Sequence, residues 1–523
     1  MKLKFKSQAR ESLYSGIKKL YRAVSSTLGP HGNTVVLESN RHIGGMTVTK
    51  DGVTVARTVV LKDNVENLGA TMVKQAALKT ASKAGDGTTT SIVLAESIVG
   101  EGLNAVEGDL SLNRTKIVNY IKQFKDIIID KINSFKVDVN DNIIKNIATI
   151  STNNNDWLGS LVYDAYKFVG EYGHVTVDNS KTSETYFEGA NGIKIDKGMQ
   201  SRAFINTPSK DQCILEGSVS VLVSTVEITD TEQIRNALEP VIRARKPLII
   251  VAPCTDQFVM TMALNVRKNG LKLLVVQPPN FGWKQEELME DIAIATGATY
   301  FSEKTGDNLG NISFEDLGNV SRVVSDQEST VLVRDESSDI EVGGRIDELK
   351  ISLAEEGLSE ADRNFLQKRV ATLGGGIGVI YTGGNSDIEQ KELYDRIDDA
   401  VCAVRSAIED GVVPGAGKAL YDAQTFIDPE QDTEEARIAA NIIKVACKEP
   451  LKKILMNADL DYEDLYPVKN NVGQGYDLVK GQYGDLMEMG IMDPAKVTKS
   501  ALENAVSVAT TIITTDTVVY EDE

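Results

Sequence analysis

Histidine, cysteine and tryptophan are scarce in this chain. Its 523 residues include 3 histidines, 4 cysteines and 2 tryptophans, and aromatic residues make up 6% of the sequence. The cysteines lie far apart and form no Cys-x-x-Cys pair, which argues against a zinc site or a disulfide framework. They are Cys213, Cys254, Cys402 and Cys447. With so few histidines, no Ser/His/Asp or Cys/His catalytic constellation can be argued.

Basic residues and long apolar runs are also lacking. The chain has 56 Lys and Arg against 76 Asp and Glu, a formal charge of −20, which is opposite to the charge of a nucleic-acid binder. We therefore expect no nucleic-acid or membrane partner. The most apolar stretches, residues 247–252 and 271–276, are too short to span a bilayer, and residues 1–14 lack the apolar region of a signal peptide. We expect a soluble, cytoplasmic protein with two to four domains.

The hexapeptide Gly-Asp-Gly-Thr-Thr-Thr at residues 85–90 is the most informative motif. Apolar residues repeat at helical spacing before it, from Val65 to Ala77, and after it, from Ile92 to Leu103. The hexapeptide is therefore predicted to be a loop at a helix start, where free N–H groups and the helix dipole favour phosphate and glycines permit a close approach. The alternative is an ordinary glycine turn followed by a threonine N-cap.

Several other turns could complete a nucleotide site. Asp86 offers a hard oxygen ligand for Mg²⁺. Residues 27–30 (Thr-Leu-Gly-Pro) form a tight turn with free carbonyls, and residues 411–417 are a second glycine-rich approach for ribose or phosphate. Further carboxylates follow turns or begin helices at Asp51, Asp399 and Asp493. Each segment alone is more typical of an ordinary turn or an N-cap aspartate, but together they indicate a nucleotide site.

The middle of the chain has an α/β pattern over roughly residues 190–375. Strands are predicted at 218–223, 247–252 and 271–276, and helices at 231–245, 255–268 and 284–296. Glycines lie at both ends of this region, where they predict either turns or a hinge. A helical hairpin broken near Gly357 is predicted over residues 345–373. Both ends of the chain are predicted to be helical.

Two motifs resemble binding sites but fail their own requirements. Residues 415–418 (Gly-Ala-Gly-Lys) look like the end of a Walker A loop, yet Val412 stands where the first glycine is required and Ala419 where Ser or Thr is required. The acidic run at residues 459–470 lacks the glycine and the final glutamate of an EF-hand, so a solvated surface is the better interpretation.

The chain resembles the group I, GroEL-like chaperonins as a divergent member, collinearly from about residue 25 to residue 515. The matching segments are residues 27–30, 49–57, 66–70, 85–90, 147–151, 279–282, 290–293, 399–417, 490–494 and 496–502. The resemblance implies a multi-domain α/β chaperonin fold: a mostly α-helical equatorial ATPase domain (1–132 and 410–523), a small α/β intermediate domain (133–190 and 376–409) and an α/β apical domain (191–375).

The resemblance also assigns roles at the nucleotide site. It implies ATP hydrolysis with Mg²⁺ held by Asp86, K⁺ held by the carbonyls of Thr27 and Lys50, and the attacking water positioned by Asp51 and Asp399. The implied ATP-binding residues are Thr27, Leu28, Gly29, Pro30, Lys50, Asp86, Gly87, Thr88, Thr89, Thr90, Ile150, Gly415, Asp477, Ile491 and Asp493. The implied hinge residues are Gly192, Gly375, Gly376 and Gly411. Because Asp399 falls in the implied moving segment, we expect hydrolysis to require domain closure.

For the apical domain the resemblance implies an apolar face for non-native polypeptide clients and for a co-chaperonin lid. The corresponding positions are Met199, Ala203, Phe204, Ile234, Leu238, Val259, Ala263 and Leu264. An apolar stripe at helical spacing is more often core than binding surface, and only the resemblance favours the surface. Met199 and Ala203 replace aromatic residues that the family has there.

The chain departs from the family at His31, Ala416 and Asp477, the last in place of an adenine-contacting asparagine. We expect an ATP-dependent chaperone that encloses clients in a homo-oligomeric ring, and the resemblance implies seven members in a single or double ring. One alternative is a ring-shaped holdase or scaffold with weak or no ATP turnover. The other is an unrelated kinase or phosphotransferase, for which the sequence has no acceptor-pocket signal.

Overall fold

A computed structural model of the chain describes residues 1–38, 46–108, 112–152, 155–170, 173–180, 182–207, 212–334, 339–354, 358–428, 430–465 and 471–521. The chain divides into two compact units. We call residues 1–163 with 385–523 the helical unit, and residues 164–384 the sheet unit. The predicted break at Gly357 and residues 466–470, the last five of the segment 459–470, lie outside the described residues.

Helices make up most of the helical unit. In chain order the α-helices are α1 (Lys6–Ser25), α2 (Gly52–Thr58), α3 (Asn64–Ala84), α4 (Thr88–Gly108), α5 (Arg114–Phe135), α6 (Asp141–Ser151), α7 (Asp156–Val169), α8 (Arg235–Ala244), α9 (Asp256–Asn269), α10 (Trp283–Thr296), α11 (Asp339–Leu353), α12 (Glu360–Gly374), α13 (Asp387–Asp410), α14 (Lys418–Ala423), α15 (Glu434–Ala446), α16 (Glu449–Asn457), α17 (Tyr462–Leu465) and α18 (Ala495–Thr514). Within the described part of the chain, none of them has the length and apolar character needed to cross a membrane.

The strands form one large sheet and several small ones. In chain order they are β1 (Lys2–Phe5), β2 (Val35–Glu38), β3 (Met46–Thr49), β4 (His174–Asn179), β5 (Tyr186–Ile195), β6 (Cys213–Ser224), β7 (Leu248–Val251), β8 (Leu273–Val276), β9 (Tyr300–Phe301), β10 (Gly318–Ser325), β11 (Thr330–Val333), β12 (Gly376–Thr382), β13 (Val412–Pro414), β14 (Gln474–Asp477), β15 (Gln482–Asp485), β16 (Met492–Pro494) and β17 (Thr517–Tyr520). Two-stranded sheets pair β1 with β17, β2 with β3, β13 with β16 and β14 with β15.

The helical unit has an alanine-rich core. Helices α1, α3, α4, α5, α15 and α18 pack on one another, and their apolar residues recur at helical spacing, as Leu13, Ile17 and Leu20 do along α1. Small residues such as Ala501 and Ala505 on α18 are fully buried and let the helices approach closely. The prediction that both ends of the chain are helical is confirmed.

The sheet unit is built on a nine-stranded mixed sheet in the order β4-β12-β5-β11-β10-β6-β7-β8, with β9 beside β6. Strands β6, β7 and β8 are parallel and alternate with α8 and α9, so the strands and helices predicted for the middle of the chain are confirmed. Helices α11 and α12 form the predicted hairpin. Two of its arginines, Arg345 and Arg369, donate to the buried carboxylate of Asp291 on α10, at 3.0 and 2.6 Å, which fixes the hairpin to the unit.

The glycines expected at a hinge lie in regular structure. Gly192 is a β5 residue opposite Val333, and Gly376 begins β12 opposite Asn191. Gly375 directly follows α12, and Gly411 ends α13 with φ of 75°. Gly192 and Gly376 are therefore strand residues rather than turn residues, and a hinge role for the four glycines stays a prediction.

Close packing of α1 on α3 depends on a reciprocal pair of glycines. A Cβ at Gly69 of α3 would overlap the backbone oxygen of Leu13, and a Cβ at Gly16 of α1 would overlap the backbone oxygen of Glu66. In contrast, Gly343 in α11 has no atom within 4 Å of its Cβ position.

We predict that Gly69→Ala lowers the free energy of unfolding by about 1–3 kcal/mol, because backbone cannot move away from the new methyl group as a side chain could. Gly343→Ala is the control and should be neutral or stabilising by about 0.5–1 kcal/mol through reduced chain entropy. Urea unfolding followed by circular dichroism measures both. Equal midpoints for wild type and Gly69→Ala would contradict the packing argument.

Candidate functional site

The predicted phosphate loop connects α3 to α4. Gly85 ends α3 in the left-handed conformation (φ 79°) and donates to Ala81 O at 2.7 Å, and Gly87 is also left-handed (φ 93°). Helix α4 begins at Thr88, as predicted. The Thr88 side chain is 1% exposed and its hydroxyl has no hydrogen-bond partner. An unpaired buried hydroxyl is costly unless a ligand completes it.

Two further predicted turns converge on this loop. A Cβ at Gly52 would overlap the hydroxyl of Thr89 and would lie 3.3 Å from the hydroxyl of Thr27. Next to Gly52, Asp51 is the N-cap of α2 and accepts from the N–H groups of Val53 and Thr54 at 2.9 and 2.7 Å. The structure therefore brings together the turn at residues 27–30, the Asp51 cap and the threonines of the phosphate loop.

The second glycine-rich segment lies against β16. Strand β13 pairs antiparallel with β16, with Val413 opposite Asp493, and Gly415 N–H donates to Ile491 O at 3.0 Å. The Asp493 carboxylate accepts from the backbone N–H groups of Ala416 and Gly417. Gly415, Ile491 and Asp493 thus form one hydrogen-bonded corner of the site.

Four carboxylates interact electrostatically across the site. Desolvation, followed by the charges of Asp86 and Asp51, raises the pKa of Asp399 well above its ordinary value. Desolvation and the charge of Asp51 raise the pKa of Asp86, against a hydrogen bond from the Gly87 N–H that lowers it. Desolvation and the charge of Asp86 raise the pKa of Asp493 to about 7. Asp86 remains exposed and Asp51, Asp399 and Asp493 are half-buried, so a ligand from solvent can reach them.

Helix α13 carries Asp399 to this place and belongs to the helical unit. Two residues on the same face as Asp399, which sequence reasoning did not identify, fix α13 against the phosphate loop. Cys402 lies where a Cβ at Gly85 would have to go, and the Ser406 hydroxyl donates to Ala84 O at 2.6 Å. The signal in the sequence was their spacing of three and seven residues from Asp399, which places all three on one helix face.

The remaining predicted contacts differ in exposure, and their contact with a nucleotide stays a prediction. Ile150, near the end of α6, is 37% exposed, and Ile491 is half-buried whereas Lys50 and Pro30 are exposed. Asp477 is 4% exposed and accepts from Val479 and Lys480 N–H groups at 2.9 and 3.1 Å. Its carboxylate is thus occupied by the turn between β14 and β15. The rest of the predicted set, Leu28, Gly29 and Thr90, lies in the turn at 27–30 and in the first turn of α4.

The oxygen ligands of the site suit a metal ion that binds together with a substrate. Among the described residues, no group of three or more Asp, Glu, His or Cys side chains is arranged to hold a metal ion. Asp86 alone supplies an oxygen next to the glycine loop, which suits Mg²⁺ because that ion is usually bound by one or two carboxylates together with substrate phosphates.

A protein-family model described as the TCP-1/cpn60 chaperonin family matches residues 20–523. The chain belongs to the TCP-1/cpn60 chaperonin family. The predicted resemblance to GroEL-like chaperonins and the predicted chaperonin fold are confirmed, and a chaperone role follows from membership of the family. Members of this family form oligomeric rings and act on polypeptide clients.

Two solved structures similar to this chaperonin are crystal forms of the chaperonin gp146 from the bacteriophage EL 2 (Pseudomonas aeruginosa), both in presence of ATP-BeFx. Crystal form II has 21% sequence identity and a TM-score of 0.73, and the match covers 100% of each chain. Crystal form I has 22% identity and a TM-score of 0.66, and the match covers 100% of this chain and 99% of the other. At 21–22% sequence identity, the structural similarity supports the chaperonin fold of this chain.

The expected client face of this chaperonin is mostly buried. Six of the eight residues belong to the apolar core of the sheet unit, with exposures of 0–8%: Met199, Phe204, Ile234, Leu238, Val259 and Ala263. Ala203 is half-buried, and Leu264 is 49% exposed. The expectation of an exposed face is thus corrected for these six residues. Leu238 on α8 and Val259 and Ala263 on α9 lie on apolar stripes that turn inward, and the other three reach the same core from outside these two helices. Client binding by the eight residues stays a prediction.

The carboxylate cluster lowers the stability of the folded protein by an amount that can be measured. A carboxyl group whose native pKa is raised binds its proton more readily in the native state, so stability falls as the pH rises from the unfolded pKa, about 4, to the native pKa. For Asp493 that window ends at about 7. Asp399 has the same sign.

We predict that Asp399→Asn raises the unfolding temperature of the ligand-free protein at pH 8 by roughly 2 °C, since it removes one of the repelling charges. The gain should shrink as the pH is lowered, because the raised pKa of Asp399 lets its carboxyl group take up a proton and lose its charge. Asp138→Asn, at an exposed position before α6, is the control and should show no such gain. Calorimetry in the presence of EDTA checks this, and an Asp399→Asn transition that is lower at every pH would refute it.

Proposed function

We propose that this chaperonin hydrolyses ATP with Mg²⁺ and K⁺ and uses the cycle to bind, enclose and release non-native polypeptides. The observation that carries the proposal is the convergence of Asp51, Asp86 and Asp399 on a glycine loop next to the unpaired Thr88 hydroxyl. A phosphate group would complete the loop, and the carboxylates need a cationic counterpart.

The residues of the site suit phosphoryl transfer to water, in which positioning and charge stabilisation dominate. The loop N–H groups and threonine hydroxyls would bind the phosphates, and Asp86 would hold Mg²⁺, which when bound neutralises phosphate charge. Asp51, fixed by two backbone N–H groups, would orient the water. Asp399, whose pKa is raised by desolvation and by Asp86, would accept a proton from the attacking water. The carbonyls of Thr27 and Lys50 would hold K⁺.

Two small sheets of the helical unit support self-association into a ring. The β1–β17 sheet exposes Leu3, Phe5 and Val519 by 52–53%, and the β2–β3 sheet exposes Val36 and Val48 by 63% and 55%. An isolated two-stranded sheet is marginally stable and presents open edges for pairing. We propose that these sheets meet between neighbouring copies. The number of subunits, the number of rings and the use of a lid are left to measurement.

We predict that the wild-type protein is a large particle by light scattering and releases phosphate from ATP, and that Asp399→Ala reduces turnover by about 100-fold or more while ATP still binds. Asp398→Ala is the matched control: the neighbouring carboxylate on α13 points about 100° away around the helix, so turnover should change by less than about 3-fold. Unchanged turnover in Asp399→Ala would favour the holdase or scaffold. A small particle without turnover would leave only the fold.

The outer faces of α8 and α9 are better placed for clients than the buried stripes. On α9, Met260 and Leu264 are one turn apart and are 66% and 49% exposed, and on α8 Ile242 is 40% exposed. We propose that these residues form part of the client surface. A methionine there suits varied clients because its side chain is flexible and polarisable.

We predict that Met260→Ser/Leu264→Ser weakens the suppression of aggregation of a denatured test protein by at least about 3-fold, while the unfolding temperature stays within about 2 °C. The control is Ile340→Ser/Ile351→Ser on α11, where two side chains are 88% and 70% exposed. If the control and the α9 variant behave alike, exposed α9 residues have no special role in client binding.

A further inference from the structure

Lys418 and Asp422 form a fully buried ion pair in the short helix α14. Lys418 is 0% exposed and Asp422 is 2% exposed, and the Lys418 ammonium donates to an Asp422 carboxylate oxygen one turn along the helix. This is the lysine of the rejected Walker-like motif. It cannot reach a phosphate, because its side chain lies in the interior and its other hydrogen bond is to Asn471 O at 3.2 Å.

Both members of the pair hold the segment that leads into β14. Lys418 binds the carbonyl of Asn471, and the second oxygen of Asp422 accepts from the Gly473 N–H at 2.8 Å. Gly473 is left-handed, with φ of 79°. The two buried charges therefore fix the backbone at residues 471–473, directly before the β14–β15 hairpin.

Backbone hydrogen bonds connect this segment to the predicted base and ribose contacts. Leu486 N–H donates to Gly473 O at 3.0 Å, and Ile491 N–H donates to Leu486 O at 2.7 Å. Gly415 N–H then donates to Ile491 O at 3.0 Å, and Lys418 N–H returns to Gly415 O at 3.0 Å. The hydrogen bonds form a closed circuit that begins and ends at α14, and Gly415 and Ile491 are two of its members.

Stability alone does not explain the pair. Desolvation lowers the pKa of Lys418 and raises the pKa of Asp422, against their mutual attraction. Replacing a buried ion pair by well-packed apolar residues is often neutral or stabilising, whereas such pairs can fix one specific arrangement. What the pair supplies here is charge-assisted hydrogen bonding to two backbone groups that an apolar pair could not make.

We propose that Lys418 and Asp422 are positioning residues that set the base and ribose end of the nucleotide pocket, through Gly473 and the circuit to Ile491 and Gly415. The proposal rests on the proposed nucleotide site. Asp422 is the more important member, since it holds the Gly473 N–H. The predicted phosphate loop, residues 85–90, lies outside the circuit. The pair should therefore affect the binding of ATP, which has a base and a ribose, but not the binding of a bare triphosphate chain.

Two double variants isolate the Asp422 bond to Gly473. Lys418→Met/Asp422→Asn and Lys418→Met/Asp422→Leu both remove the two charges, but only the asparagine retains an oxygen that can accept from Gly473. We expect the leucine variant to bind Mg·ATP about 5–10-fold more weakly than the asparagine variant by calorimetry, as for loss of one hydrogen bond. Magnesium tripolyphosphate should bind both variants equally. Lys116→Met/Glu435→Leu, which removes an ion pair between an exposed lysine on α5 and a half-buried glutamate on α15, should bind ATP as the wild type does.

The outcomes separate the two proposals. Equal ATP affinity in the two α14 variants overturns the positioning role and leaves the ATP site intact. An equal loss for ATP and tripolyphosphate also overturns it, since that would be general damage to the site. The positioning role is also overturned if the wild-type protein binds ATP no more tightly than tripolyphosphate, because the adenosine group would then contribute nothing to affinity. A wild-type protein that binds neither ligand overturns the proposed function, and the positioning role with it.

Hydrogen exchange on the unaltered protein tests the circuit even if a variant does not fold. Mg·ATP should slow exchange in peptides covering residues 471–477 and 484–491 by at least about 3-fold, and tripolyphosphate should slow only residues 85–90. Protection by ATP that is confined to residues 85–90 contradicts the proposal.

Discussion

Repulsion among Asp51, Asp86, Asp399 and Asp493 is the constraint on which the rest of the helical unit depends. The pKa values of Asp86, Asp399 and Asp493 rise because desolvation and neighbouring carboxylates disfavour the charged forms. Such a cluster opposes folding, and it persists because each carboxylate is attached to an element held by the large apolar core of the unit. A ligand that brings cations converts the same repulsion into attraction, so the cost to stability is also the source of affinity.

Backbone groups, rather than side-chain partners, fix these carboxylates. Asp51 accepts from Val53 and Thr54, and Asp493 accepts from Ala416 and Gly417. An N–H donor neutralises little charge, so it sets the direction of a carboxylate while leaving its negative field available to a cation. A lysine or arginine partner would fix the side chain as well but would remove that field. Backbone donors therefore orient these carboxylates without compensating their negative charge.

The sequence predicted local structure best. The loop before α4 and the strands β6 to β8 follow from periodicity and glycine positions, which act over a few residues. The meeting of Asp86 with Asp399 could be predicted only through the family resemblance, since 313 positions separate them in the sequence. The exposure of the client stripe could not be predicted, because Ile234 and Leu238 have the spacing of either a core or a surface face, and periodicity does not tell which partner a face meets. Burial of Lys418 had no sequence signal, because lysine is normally exposed.

Three departures from ordinary folding rules lie around the proposed nucleotide pocket. Thr88 has an unpaired buried hydroxyl, Lys418 is a buried lysine, and Ala416 is left-handed with φ of 56° where glycine would be unstrained. Each is unfavourable by about 1 kcal/mol or more. Ala416 keeps its conformation because its N–H binds Asp493, just as Lys418 keeps its place through Asp422. Ala416 belongs to the loop that contains Gly415, and Lys418 begins α14 directly after that loop, so the loop is held in one shape by polar contacts that would be lost if it relaxed. Strain that is held in this way favours a pocket that exists before its ligand arrives, and such a pocket loses less entropy on binding.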